Sequence, residues 1–162
     1  MLGSLLLLQM QTVQASEFES LKTALSKALG TEKAFQKKVT VEGKTETVYY
    51  AKGEDGKATK LAIVQKGLYK PDCTHTWVVG LDAASSTIDQ VRVVEMKCPH
   101  AFPTNKAFFL DQYKGKGPAD VAALKDKKNT NIVAKATYTA YLTTDAVVSS
   151  INDAVEFKKA AN

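Results

Sequence analysis

Cys73-Thr74-His75 and Cys98-Pro99-His100 contain every cysteine and every histidine of the chain, two of each. Thiolate and imidazole are good ligands for zinc and copper, and two thiols can close a disulfide. The pairs therefore admit a metal site of Cys73, His75, Cys98 and His100, a Cys73–Cys98 bond, or four residues with no special role. Cys-x-His places alternate side chains on one face of a strand, which differs from the usual zinc knuckle. Covalent haem attachment needs a Cys-x-x-Cys-His run, and the chain has none. The histidines read as exposed residues near strand ends.

The segment between the two pairs reads as a hairpin. Trp77, Val79 and Leu81 lie on one face of its first strand, Ile88, Val91, Val93 and Val94 fall in its second, and Ala83 to Thr87 turn the chain. A turn centred on Ser85-Ser86 opposes the two cysteines directly. Matching Trp77 with Val93 and Val79 with Val91 instead sets Cys73 opposite Lys97 and turns Cys98 to the other face. One bulge reconciles the two registers.

The elements around the hairpin follow from periodicity. Phe18, Leu21, Ala24, Leu25, Ala28 and Leu29 recur at helical spacing, with Ser16 as the expected cap and Gly30 as the left-handed stop. Strands are expected over 38–42, 45–52 and 58–66, separated by the turn signals Glu42-Gly43-Lys44 and Gly53-Glu54-Asp55-Gly56. Thr104 caps a short segment holding Phe108, Phe109, Leu110 and Tyr113, and Pro118 opens another. The stretch 131–142 is β-rich. Thr143 or Thr144 then caps a last helix with Val147, Val148, Ile151, Ala154 and Val155 inward. The fold class is α+β, a mostly antiparallel sheet with N- and C-terminal helices packed on it.

At 162 residues, with 44% hydrophobic and 24% charged, the chain has material for one globular domain with a core of its own. Residues 1–15, MLGSLLLLQMQTVQA, are uncharged, hold the apolar run Leu5 to Leu8 and end in Val13-Gln14-Ala15. They read as a signal peptide cut before Ser16, with a buried N-terminal strand or helix as the alternative; on the first reading 16–162 form the exported domain, periplasmic or extracellular. In such a compartment two thiols are expected as one disulfide, Cys73–Cys98. The net charge of +5 comes from lysines with a single arginine, Arg92, and no aromatic-interleaved basic motif. That pattern argues against nucleic acid and for a solvated lysine face that can meet anionic partners or a membrane surface. No paired acids and no nucleophile–base arrangement suggest a hydrolase or transferase.

Three stretches resemble one family. WVVGLDAASSTIDQVRVVEMKCPHAFPT is similar to a strand, turn, strand and proline-bearing loop, FFLDQYKGKGPADVAAL to a Phe-x-x-Gln-aromatic-x-Gly-Lys segment, and NIVAKATYT followed by LTTDAVVSSINDAV to an attachment loop leading into a last helix. The family is the flavin mononucleotide (FMN)-binding domain of bacterial exported redox proteins, of the type carried by the sodium-translocating quinone reductase and by the Rnf electron-transport complex. The resemblance covers roughly residues 60 to 157.

In that family a flavin transferase joins the cofactor's phosphate to the hydroxyl that follows the alanine of the loop. The resemblance accordingly places FMN at Lys135, Ala136, Thr137, Tyr138 and Thr139, with Pro99 in the facing loop. Ala136, Thr137 and Thr139 agree with the family pattern, whereas Asn131, Ala134 and Lys135 depart from it. Ala140-Tyr141-Leu142 looks inserted. These departures lead us to expect non-covalent FMN, with Lys135 pairing with the phosphate in place of the attachment. Tyr138, Tyr141, Trp77 and Phe102 are the candidates for an aromatic wall. The implied function is electron transfer, with a redox partner protein or a membrane electron-transport complex at the other end. The alternative is a non-flavin module that uses the two Cys-x-His pairs for a metal or a redox-switchable disulfide.

Overall fold

The computed structural model describes residues 18–98, 101–127, 130–132 and 136–161. The expected signal segment, Pro99, His100 and Lys135 lie outside the described residues.

Helix α1, Leu21–Leu29, starts at Ser20, whose side chain accepts the Thr23 amide, and stops at Gly30, left-handed at φ 69°. The cap is thus Ser20 rather than Ser16. Phe18 belongs to the approach to α1, where it packs on the core, and Glu19 beside it pairs with Arg92 and with Lys27.

Five strands follow: β1 Phe35–Val41, β2 Lys44–Lys52, β3 Ala58–Leu68, β4 Thr74–Asp82 and β5 Ile88–Lys97. They form one antiparallel sheet in the order β1-β2-β3-β4-β5, a meander in which every connection is local. Glu42 and Gly43 turn β1 into β2 with positive φ at both residues, 50° and 79°, the backbone twist that matches paired strands. Asp82 holds the β4–β5 turn by accepting the amides of Ala84 and Ser85 and the Ser85 hydroxyl.

Both faces of the sheet are covered. Alternation sends Val48, Leu61, Ile63, Trp77, Val79 and Val91 to one side, while Ala51, Ala62 and Val78 meet Ala24, Ala28 and Leu29 of α1 on the other. Small residues predominate on the α1 side, and Gly80 lets the helix come close. A Cβ there would stand 3.2 Å from that of Ala28.

The larger face carries the C-terminal elements. After β5 come a 3-10 turn, Phe102–Asn105, helix α2, Ala107–Leu110, a turn through Tyr113, then Pro118–Asp120 and α3, Val121–Lys125. Thr104 is buried inside its turn, and its hydroxyl donates to the Ala101 carbonyl instead of capping a helix. Helix α4, Thr137–Ala161, lies across the sheet and buries Ala140, Val147, Val148, Ile151, Ala154 and Phe157. Val155, expected inward, is only partly buried. The chain is therefore an α+β protein with an antiparallel sheet and helices from both ends of the sequence packed on it.

Helix α4 begins six residues before the expected cap. Thr143 and Thr144 are buried within it, their hydroxyls donating to the carbonyls of Thr139 and Ala140. Local preference for β structure at Thr137 to Leu142 yields to a helical stripe of small and apolar residues, Ala136, Ala140, Thr143 or Thr144, Val147, Ile151 and Ala154. Ala140-Tyr141-Leu142 is part of the second turn of the helix.

Candidate functional site

The hairpin register brings the two cysteines together as the bulge requires. Trp77 pairs with Val93 and Val79 with Val91, a bulge falls between Thr76 and Trp77, and Thr74 then pairs with Lys97. One residue further out, Cys73 and Cys98 are opposed and disulfide-bonded, with Cα atoms 4.8 Å apart. The bond closes a loop that spans a sequence separation of 25.

His75 turns inward. It is 1% exposed, contrary to its reading as an exposed strand-end residue, because its strand position shares a face with Trp77 and the core. Its Nε2 lies 3.5 Å from Cys73 Sγ and 3.2 Å from Cys98 Sγ. Its ring stacks on Trp77 at 5.3 Å between centroids. Burial pushes the imidazole below its ordinary range, against a weaker upward pull from Glu95, so His75 is mainly neutral at pH 7. Nδ1 is buried without a hydrogen-bond partner among the described residues.

The opposite residue of β3 makes room for this arrangement. Gly67 pairs with His75, and a Cβ on Gly67 would approach Trp77 Cη2 to 2.7 Å and Leu142 Cβ to 3.6 Å. Gly67 therefore sets the position of the Trp77 ring beneath the beginning of α4.

Beyond β3, Tyr69 donates its amide to the Cys73 carbonyl at 2.9 Å, closing the turn at Lys70 to Asp72. Tyr69 also stacks on Tyr138 of α4, with centroids 4.2 Å apart and an interplanar angle of 13°. Tyr138 remains 59% exposed. The Lys70 ammonium lies 5.3 Å from the centre of the Tyr69 ring.

Ala136 precedes α4, and the Ala140 amide donates to its carbonyl at 3.0 Å. The amides of Thr137, Tyr138 and Thr139 thus belong to the first helical turn, where the helix supplies no acceptor for them. Thr137 is half-buried, while Ala136 and Thr139 are buried. The disulfide, His75 and the opening of α4 share one end of the sheet and are joined through Tyr69.

The other aromatic candidates separate. Trp77 is fully buried and serves the core, so it presents no free face for a flavin wall. Phe102 is exposed with Lys106 4.1 Å above its ring, and Tyr141 carries Lys127 at 4.7 Å. Tyr69, Lys70 and Gly67 were missed by sequence reasoning, although the Pro71-Asp72 turn signal just before Cys73 places Tyr69 opposite that cysteine. Among the described residues no helix is long and apolar enough to cross a membrane.

Comparison with protein-family models, curated proteins and solved structures found no match to the chain.

Proposed function

We propose that the protein is an exported electron-transfer module that holds FMN non-covalently at the opening of α4. One observation carries the reading: the run Ala136-Thr137-Tyr138-Thr139 opens a 25-residue helix whose exposed Tyr138 stacks on the half-buried Tyr69. First-turn amides for which the helix itself supplies no acceptor, and the positive end of the helix, favour a phosphate. The outer face of Tyr138 offers a stacking surface for a flat ring system. Lys70 supplies a described cation nearby, and Lys135 is proposed as a second. Pro99 is proposed to line the site from the loop after β5.

Thr137 contributes its amide in this reading and forms no bond to the cofactor. When bound, FMN supplies reversible electron transfer, and the protein's part is to hold the phosphate and shield the ring. The Cys73–Cys98 bond is compatible with an oxidising compartment, which agrees with export. The electron partner is a redox protein or a membrane complex, met through the lysine-rich surface.

The test is a titration of FMN into the purified full chain, followed by flavin fluorescence and intact mass. Quenching with no mass adduct is expected. Riboflavin, which lacks the phosphate, should bind about tenfold more weakly, the loss of one charge-assisted contact. Tyr138→Ala and Lys70→Ala should each weaken FMN binding. Absence of quenching, or riboflavin binding as well as FMN, would overturn the reading.

A further inference from the structure

We propose that the reduced form of the Cys73–His75–Cys98 cluster is a redox-gated binding site for a thiophilic divalent ion, with Zn2+ as the ion its donors fit best. The inference is independent of FMN. It rests on the positions of three ligand atoms, all within 4.8 Å of one another, on two opposed strand ends.

The geometry is close to that of an occupied centre. In a tetrahedral site with Zn–S of about 2.3 Å and Zn–N of about 2.0 Å, each S···N edge is about 3.5 Å and the S···S edge about 3.8 Å. His75 Nε2 already stands 3.5 Å and 3.2 Å from the two sulfurs. Only the sulfurs must part, from a bonded distance of about 2.0 Å. Rotation of the two cysteine side chains achieves this without moving strands whose Cα atoms are 4.8 Å apart.

Chemistry and burial agree with this assignment. Two thiolates and a neutral imidazole cancel the charge of a divalent ion, which suits a cluster whose histidine is 1% exposed. His75 directs Nε2 at both sulfurs, and its stack on Trp77 fixes the ring plane. Its buried Nδ1 lacks a partner among the described residues. Among the described residues Nδ1 has none of the outer hydrogen bonding that strengthens a ligating imidazole by about 10–100-fold, which favours reversible loading. Three ligands come from the described residues, and the fourth position is open to a further donor such as water.

The disulfide and the metal-bound form exclude each other, because bonded sulfurs are no longer thiolate ligands. Loading starts with a dithiol reductant, which donates two electrons and two protons. The Cys73–Cys98 bond breaks, two thiols form, and the reductant becomes a disulfide. Zn2+ then displaces both thiol protons and binds two thiolates and Nε2. Unloading is the reverse exchange with a disulfide-bearing oxidant, which takes up the two electrons as thiolates while the Cys73–Cys98 bond re-forms and the ion leaves.

The experiment uses the full chain, stripped of metal, as the phosphine-reduced and the oxidised protein, each titrated with Co2+ and then Zn2+. The reduced protein is expected to develop thiolate-to-cobalt charge-transfer bands that saturate at one ion per chain and are bleached by Zn2+. The oxidised protein should give none. His75→Asn should weaken cobalt binding by about tenfold or more. If that variant fails to fold, judged by circular dichroism of its oxidised form, the two redox states of the unaltered chain decide alone. Absence of thiolate–cobalt bands in the reduced protein, equal binding by the disulfide form, or undiminished binding by a folded His75→Asn would overturn the proposal.

Discussion

Tyr138, in the first turn of α4, stacks on Tyr69 with ring centroids 4.2 Å apart, and the amide of Tyr69 donates to the carbonyl of Cys73. This two-step contact places the only disulfide of the chain and the opening of its longest described helix at one end of the sheet. A cofactor phosphate at the helix start and a sulfur pair at the strand ends would share that end.

The disulfide should be quantitative and stabilising. Thiol titration of exported protein under denaturing, non-reducing conditions is expected to find no free thiol. Cys73→Ser/Cys98→Ser should lower unfolding stability by about 2–4 kcal/mol, since the bond restricts the unfolded chain. Urea denaturation of both proteins measures the difference.

Gly67→Ala tests how the end of the sheet is assembled. The added Cβ would stand 2.7 Å from Trp77 Cη2, so the indole or β3 must shift. A loss of about 1–3 kcal/mol is expected in the same denaturation assay, the usual cost of overpacking a filled interior. The near-ultraviolet circular dichroism of the single tryptophan should change with it.

How far the fold and the site could be read from the sequence differs by element. The β4–β5 register from the cysteines to Val79 was legible, with its bulge between Thr76 and Trp77, because apolar alternation and the two cysteines imposed two constraints that one extra residue reconciles; a second shift, between Gly80 and Leu81, was not expected. The meander was legible from its turn residues. The start of α4 was not, since Thr137, Tyr138 and Thr139 prefer strands locally and the segment becomes helical by burying Ala136, Thr139, Ala140 and Thr143 along one stripe. The interior position of His75 was hidden for a similar reason: a histidine beside a cysteine at a strand end reads as solvent-facing until the strand is known to continue through it.

Asp153 makes stability depend on pH. It is buried on α4, and desolvation first, then the charge of Glu46, raise its carboxyl from 3.8 to about 6, with Gln65 donating to it at 3.1 Å and pulling the other way. The folded protein therefore holds this proton more tightly than the unfolded chain, and the associated stability is lost as pH rises from about 4 through about 6. Asp153→Asn should stabilise the protein at pH 7.5 by about 2 kcal/mol and change little near pH 4. Denaturation midpoints at the two pH values check it.

Tyr113→Phe should cost about 1 kcal/mol, the worth of one buried neutral hydrogen bond. Its hydroxyl meets Thr144 Oγ1 at 2.8 Å, and Thr144 already donates to Ala140, so Tyr113 is the donor. Burial also pushes this phenol up to about 12, so the tyrosine stays protonated across the usual alkaline range. The unfolded chain ionises this phenol near 10, so the cost of Tyr113→Phe should be smaller at pH 10 than at pH 7.5 by about 0.4 kcal/mol, as denaturation at the two pH values checks.

The visible absorption spectrum of the protein purified from an exporting host bears most directly on the proposed function. The expected result is flavin bands from FMN that is released on denaturation, leaving a polypeptide of unmodified mass. A colourless protein that also fails to take up added FMN would contradict it.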